Sequence, residues 1–118
     1  MTADSAASPI TDVHWQGRTC IARAAGDITV ERSTAFQEQL VALLDDAPEQ
    51  LVVDFGKVAF IDSSGMASLV KVLSRARKQE AELVLAGMSD RIRGVFEIAR
   101  LDRVFHIESD VPDNEQEG

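Results

Sequence analysis

The stretch QLVVDFGKVAFIDSSGMASLVKVLSRA, residues 50–76, changes its hydrophobic period halfway along. Gln50 to Asp54 is a short β-branched run, the signature of a strand buried on both faces. Val58-Ala59-Phe60-Ile61 is an apolar approach to the polar cluster Asp62-Ser63-Ser64-Gly65. Beyond it, Met66, Leu69, Val70, Leu73 and Ala76 recur at i, i+3, i+4, the spacing of an amphipathic helix. A strand that passes through a polar turn into a helix is the building unit of an α/β sheet.

The flanking sequence repeats that alternation. Thr11–Trp15 and Arg18–Ala25 read as two strands joined at Gln16-Gly17 as a hairpin. Phe36, Leu40, Leu43 and Leu44 place a helix within Val30–Asp46, which Pro48 helps to end. Leu83–Ala86 reads as a strand closed by Gly87; Ile92, Val95, Phe96 and Ala99 mark a third helix, and Val104–Ile107 a last strand. The order β-β-α-β-α-β-α-β predicts a single α/β domain over residues 11–107. Its expected architecture is a mixed sheet of about five strands, largely parallel in its later part, with three helices packed on it. Residues 1–10 and 108–118 read as disordered ends, polar, small or acidic with scattered Pro.

With 118 residues the chain has room for one ordinary domain, and a hydrophobic content of 45% suffices for a buried core. The net charge of −8 is weighted toward the end, where Glu108–Gly118 carries five acids and no base. An acidic chain without a basic stripe is a poor ligand for nucleic acid or an anionic membrane. No run approaches the roughly 20 apolar residues of a bilayer span. The first nine residues lack a basic cluster followed by an apolar run, so a cytoplasmic location is expected. The lone Cys20 offers neither an internal disulfide nor a zinc cluster and reads as a buried strand residue.

Asp62-Ser63-Ser64-Gly65 admits two readings. Ser and Asp are favoured helix N-caps, accepting hydrogen bonds from free backbone N–H groups. Capping needs one such residue, however, and here three stand together. Gly65 costs a helix roughly 1 kcal/mol relative to Ala, and on this reading keeps the surface open for another molecule. A helix N-terminus also suits a phosphoryl group, and a phosphorylated serine beside Asp62 makes the patch strongly negative.

The stretch Leu51–Met66 resembles the STAS domain of bacterial anti-sigma factor antagonists. The likeness extends from about Thr11 to Ile107: Gly26-Asp27-Ile28 resembles the family's Gly-Glu-Leu element, and 98–105 its closing helix-to-strand segment. The resemblance implies that Ser63, directly after the Asp, is the phosphorylated residue, with Ser64 a minor site or a cap. It implies a partner surface of Asp62, Ser63, Ser64, Gly65 and Met66. Its implied partners are an anti-sigma factor that is itself a serine kinase, bound by the unphosphorylated form and released by phosphorylation, and a resetting serine phosphatase. ATP and metal belong to those partners, so no cofactor is implied here. Met66-Ala67 departs from the family's frequent Leu-Gly, and the acidic tail is longer than the fold requires. The alternative within the family is a scaffold subunit of a stress-sensing complex or a regulatory subunit of a transporter.

Other features carry less. His14 and His106 are the only histidines, and no Gly-x-Ser-x-Gly turn surrounds the serines, so a serine hydrolase, and an enzyme generally, is not expected. Asp54 at a strand end resembles a receiver phospho-acceptor, but Lys78 is the last lysine and lies on the second helix. Lys71, Arg75 and Lys78 form a row on that helix, read first as a solvated face and second as part of a partner surface.

Overall fold

Gly17, whose φ of 61° suits a glycine, turns β1 (Ile10–Gln16) back onto β2 (Thr19–Ala25) through a two-residue loop with Arg18. In the computed structural model, which describes residues 8–112, three further strands follow: β3 (Gln50–Lys57), β4 (Glu82–Ala86) and β5 (His106–Glu108). The sheet order is β1-β2-β3-β4-β5, with only the first pair antiparallel. The three parallel crossovers contain α1 (Val30–Leu44), α2 (Ser63–Lys78) and α3 (Asp90–Ile98). Crossovers of one hand that always step to the next strand on the same side leave their helices on one face of the sheet.

The core bears this out. Cys20, Ala22 and Ala24 of β2, Leu51, Val53 and Phe55 of β3, and Leu83 and Leu85 of β4 form one cluster with the buried sides of all three helices. Phe36 of α1 meets Phe55 edge-on, and Phe96 of α3 meets Phe105 likewise. The opposite face carries a smaller apolar strip, Ile21, Val52, Val84 and Ala86, against which Val111 packs. Leu51, Val52 and Val53 are all inaccessible, so β3 is buried on both faces, as its β-branched run predicts. Burial also pushes the Cys20 thiol up to about 11, aided by the negative charge of Asp46.

The five strands and three helices match the expected architecture; the differences lie at edges. Val70 is exposed and Val72 buried, because Leu69-Val70 and Val72-Leu73 fit two helical stripes and only the one through Leu69, Val72, Leu73 and Ala76 faces the sheet. β3 runs on to Lys57. The last strand begins at His106, not Val104: Arg100 adopts a left-handed conformation (φ 64°), a 3-10 turn spans Leu101–Arg103, and Phe105 drops into the core beside Phe96. At the start, Ser8 and Pro9 are held before β1. The Ala25 N–H donates to the Pro9 carbonyl at 2.9 Å, and Gln39 Nε2 donates to Ser8 Oγ at 2.7 Å. At the other end the expected disordered tail begins inside the fold, because Glu108 belongs to β5 and Val111 packs on the sheet; residues 1–7 and 113–118 lie outside the described residues. Among the described residues no helix is long and apolar enough to cross a membrane.

Candidate functional site

β3 delivers the chain to the carboxyl end of the sheet, where crevices between parallel strands and their helices host sites. A turn closed by the Val58 N–H on the Phe55 carbonyl (3.0 Å) starts the descent to α2. Ile61 then forms a single parallel bridge with Ile28, just before α1. Its bonds run from the Ile28 N–H to the Phe60 carbonyl at 2.9 Å and from the Asp62 N–H to the Ile28 carbonyl at 3.1 Å. The starts of α1 and α2 are thereby joined side by side.

Asp62 is the N-cap of α2. Its extended backbone (φ −102°, ψ −175°) turns the carboxylate over the helix start, where Oδ1 accepts from the Ser64 N–H at 2.9 Å and the Gly65 N–H at 3.1 Å. The Ser64 hydroxyl donates to the same oxygen at 2.5 Å. These bonds hold the carboxyl below its ordinary value, the Ser64 hydroxyl first; burial opposes the shift, and the Gly65, Ser64 and Val30 N–H groups add to it. α1 has no side-chain cap from its own Thr29. The hydrogen bonds that Asp62 Oδ1 accepts all come from the first turn of α2.

The two serines are consequently unlike. Ser64 is half-buried and its hydroxyl is spent on Asp62. Ser63, the first residue of α2, is exposed, and among the described residues its hydroxyl has no hydrogen-bond partner. Of the five residues expected to meet a partner, Asp62, Ser63 and Ser64 crowd the helix start, whereas half-buried Met66 packs against the core.

Gly65 has a different role from the one expected. It is buried and does not open a surface. A Cβ on it would lie 2.7 Å from Ile61 Cγ1 and 2.9 Å from both Ile28 Cγ2 and the Ile28 carbonyl oxygen. The glycine lets α2 press onto the Ile28–Ile61 bridge. The free N–H groups that would suit a phosphoryl group are also in part taken, since Asp62 already holds those of Ser64 and Gly65.

Two exposed apolar residues stand on the segments that the Ile28–Ile61 bridge joins, Phe60 from the apolar approach and Val30 at the start of α1. Phe60 is 45% exposed and Val30 68% exposed. The bridge brings their segments together at the start of α2; in the sequence only Val30, an apolar residue at a helix start, stood out as a candidate for exposure. The residues set aside have other duties. His106 lies on the sheet face away from α2, with Nδ1 2.9 Å from Glu82 and Nε2 2.5 Å from Glu108. Asp54 accepts from the Gly56 N–H at 2.8 Å and faces Arg23 at 3.4 Å.

Comparison with known proteins adds to this geometry. The family model of the STAS domain matches residues 11–114. The anti-sigma-B factor antagonist of Staphylococcus aureus is 28% identical over 85 residues, covering 72% of this chain and 79% of that protein. Among solved structures, an anti-sigma factor antagonist from Mycobacterium paratuberculosis superposes with a TM-score of 0.77 at 21% identity, covering 86% of each chain. SpoIIAA, a Bacillus cell fate determinant, in its phosphorylated form gives 0.65 at 19% identity, covering 89% of this chain and 94% of its own. At these identities the structural likeness speaks for the fold.

Proposed function

The chain belongs to the STAS domain family, and on that premise we propose that it is an anti-sigma factor antagonist switched by phosphorylation of Ser63. The observation that carries the reading is the division of labour at the start of α2. Asp62 and the Ser64 hydroxyl are occupied with each other, which leaves the Ser63 hydroxyl as the exposed nucleophile of the motif.

The unphosphorylated form binds an anti-sigma factor serine kinase over this surface, with exposed Phe60 and Val30 as apolar contacts. Transfer of a phosphoryl group from the kinase's ATP to Ser63 Oγ adds about −1.5 to −2 charges next to an ionised Asp62. Two of the N–H groups at the helix start, those of Ser64 and Gly65, are already bonded to Asp62, so the new charge stays largely on the surface and opposes the partner by repulsion and desolvation. A serine phosphatase removes it. Catalytic groups, ATP and metal reside in the kinase and the phosphatase, and the location that fits this work is the cytoplasm.

The test uses Ser63→Ala and Ser63→Asp as baits for a kinase-fold partner, with intact-mass analysis of the wild-type protein. The Ala form is expected to retain the partner and the Asp form to lose it, with one phosphate on wild type that maps to Ser63. Equal capture by both baits and no phosphate would favour the scaffold or transporter-subunit role instead.

A further inference from the structure

In a chain of net charge −8, α2 carries four cations, Lys71, Arg75, Arg77 and Lys78, and no acid. Arg75 is paired with Asp45 of the segment after α1. Lys71, Arg77 and Lys78 have no ion-pair partner among the described residues. Arg77 and Lys78 border a groove of about 390 Å³ whose other walls are Val70, Leu73, Ser74 and Val104. Val70 is 42% and Val104 41% exposed, so the groove has an apolar floor reaching solvent and a basic rim at one end.

The groove lies on the same face of α2 as the candidate switch. At 3.6 residues per turn, Ser63, Val70, Ser74 and Arg77 share one face of α2, and at 1.5 Å per residue Val70 stands about 10 Å and Arg77 about 21 Å from Ser63 along the axis. Charge separates this strip from the rest of an acidic molecule. A basic segment would gain nothing from the rim, whereas an acidic one would be steered to it.

We propose that the outer groove of α2 is a docking site for an acidic segment of a protein partner, with an apolar side chain seated between Val70 and Val104 and carboxylates on Arg77 and Lys78. The coupling of this site to the switch rests on the function proposed above. A phosphoryl group on Ser63 stands about 21 Å from the carboxylates held at Arg77, beyond two Debye lengths at physiological ionic strength (about 8 Å) but within the roughly 30 Å of about 0.01 M salt. At low salt it therefore repels the same acidic segment that the rim attracts, and physiological salt screens that repulsion.

The experiment titrates isotope-labelled protein with a synthetic amphipathic peptide bearing Leu on one face and Glu on the other, beside a counterpart with Lys for Glu. Saturable amide shifts at Val70, Ser74, Arg77 and Val104 are expected with the Glu peptide alone, weakening as salt is raised. Reversal of two rim charges in R77E/K78E should weaken binding about tenfold, and V70S/V104S should do likewise; circular dichroism checks that both variants fold. Equal binding of the Lys peptide, undiminished binding to R77E/K78E, shifts confined to other elements, or no saturable binding would each overturn the proposal. In about 0.01 M salt, Ser63→Asp should also bind the Glu peptide less tightly. If it binds as wild type does with the groove shifts intact, the groove stands and its coupling to Ser63 falls.

Discussion

Replacing Gly65 with Ala sets two effects of opposite sign against each other. Helix propensity alone favours Ala inside α2 by about 1 kcal/mol. Against it stand the contacts of the added methyl, 2.7 Å from Ile61 Cγ1 and 2.9 Å from Ile28 Cγ2 and the Ile28 carbonyl oxygen. Overpacking of a filled core costs about 1–3 kcal/mol, and the upper part of that range applies because one of the three neighbours is backbone. That carbonyl also accepts the Asp62 N–H at 3.1 Å, so moving it weakens the bridge that seats the helix start. The net expectation is a loss of about 2 kcal/mol, or a urea midpoint lower by about 1 M for a domain of this size. Gly94, in α3, is the matched control: a Cβ there meets nothing within 4 Å. Gly94→Ala should therefore stabilise by about 0.5–1 kcal/mol. Paired urea melts of the two variants measure both signs at once. A Gly65→Ala protein as stable as wild type, or more so, would refute the view that this glycine exists for close approach.

Asp62→Ala removes the cap of α2 and should cost about 1–2 kcal/mol at neutral pH. Because the folded carboxyl is held below its ordinary value of 3.8, its contribution is present above that value and is lost as pH falls through the folded one. The gap between variant and wild-type urea midpoints should then close in acid. His106, between Glu82 and Glu108, is raised above 6.5, chiefly by its hydrogen bond to Glu82 and then by that to Glu108. Its contribution is present below pH 6.5 and lost as pH rises through the raised value; since all three side chains are about half exposed, it amounts to about 0.5 kcal/mol. An NMR titration of the ring, with melts of His106→Gln at pH 6 and 8, reads both the pKa and the lost pH dependence. Cys20, buried and with its thiol pushed up to about 11, should resist alkylation at pH 8 in the native protein and react on unfolding. Rapid native labelling would contradict its place in the core.

The order of elements was legible because hydrophobic period is a local property: residues 50–76 switch from a β-branched run to a helical stripe within their own length. Less local facts were not. Nothing near Gly65 in the sequence names Ile28, which sets the space around it from the far side of α1. The unequal fates of Ser63 and Ser64 depend on which way the Asp62 carboxylate turns, a matter of backbone angles that composition does not encode. Val70 and Val72 could each be assigned to the buried stripe until the angle of α2 on the sheet chose between them. At the end of the chain, apolar Val104 and Phe105 resembled strand residues, yet Phe105 is buried from a turn while Val104 faces solvent.

The sheet order β1-β2-β3-β4-β5 also bears on how the chain acquires its shape. Every strand pairs with its neighbours in sequence, so no segment waits for a distant part of the chain before it can join. A chain emerging from the ribosome can lay down the hairpin, add β3 beside it under α1, and extend the sheet one crossover at a time. The Ile28–Ile61 bridge closes as soon as β3 is placed. On this order of events the serine turn acquires its neighbours before β4 and β5 have been synthesised, and the later strands complete a scaffold whose working end is already built.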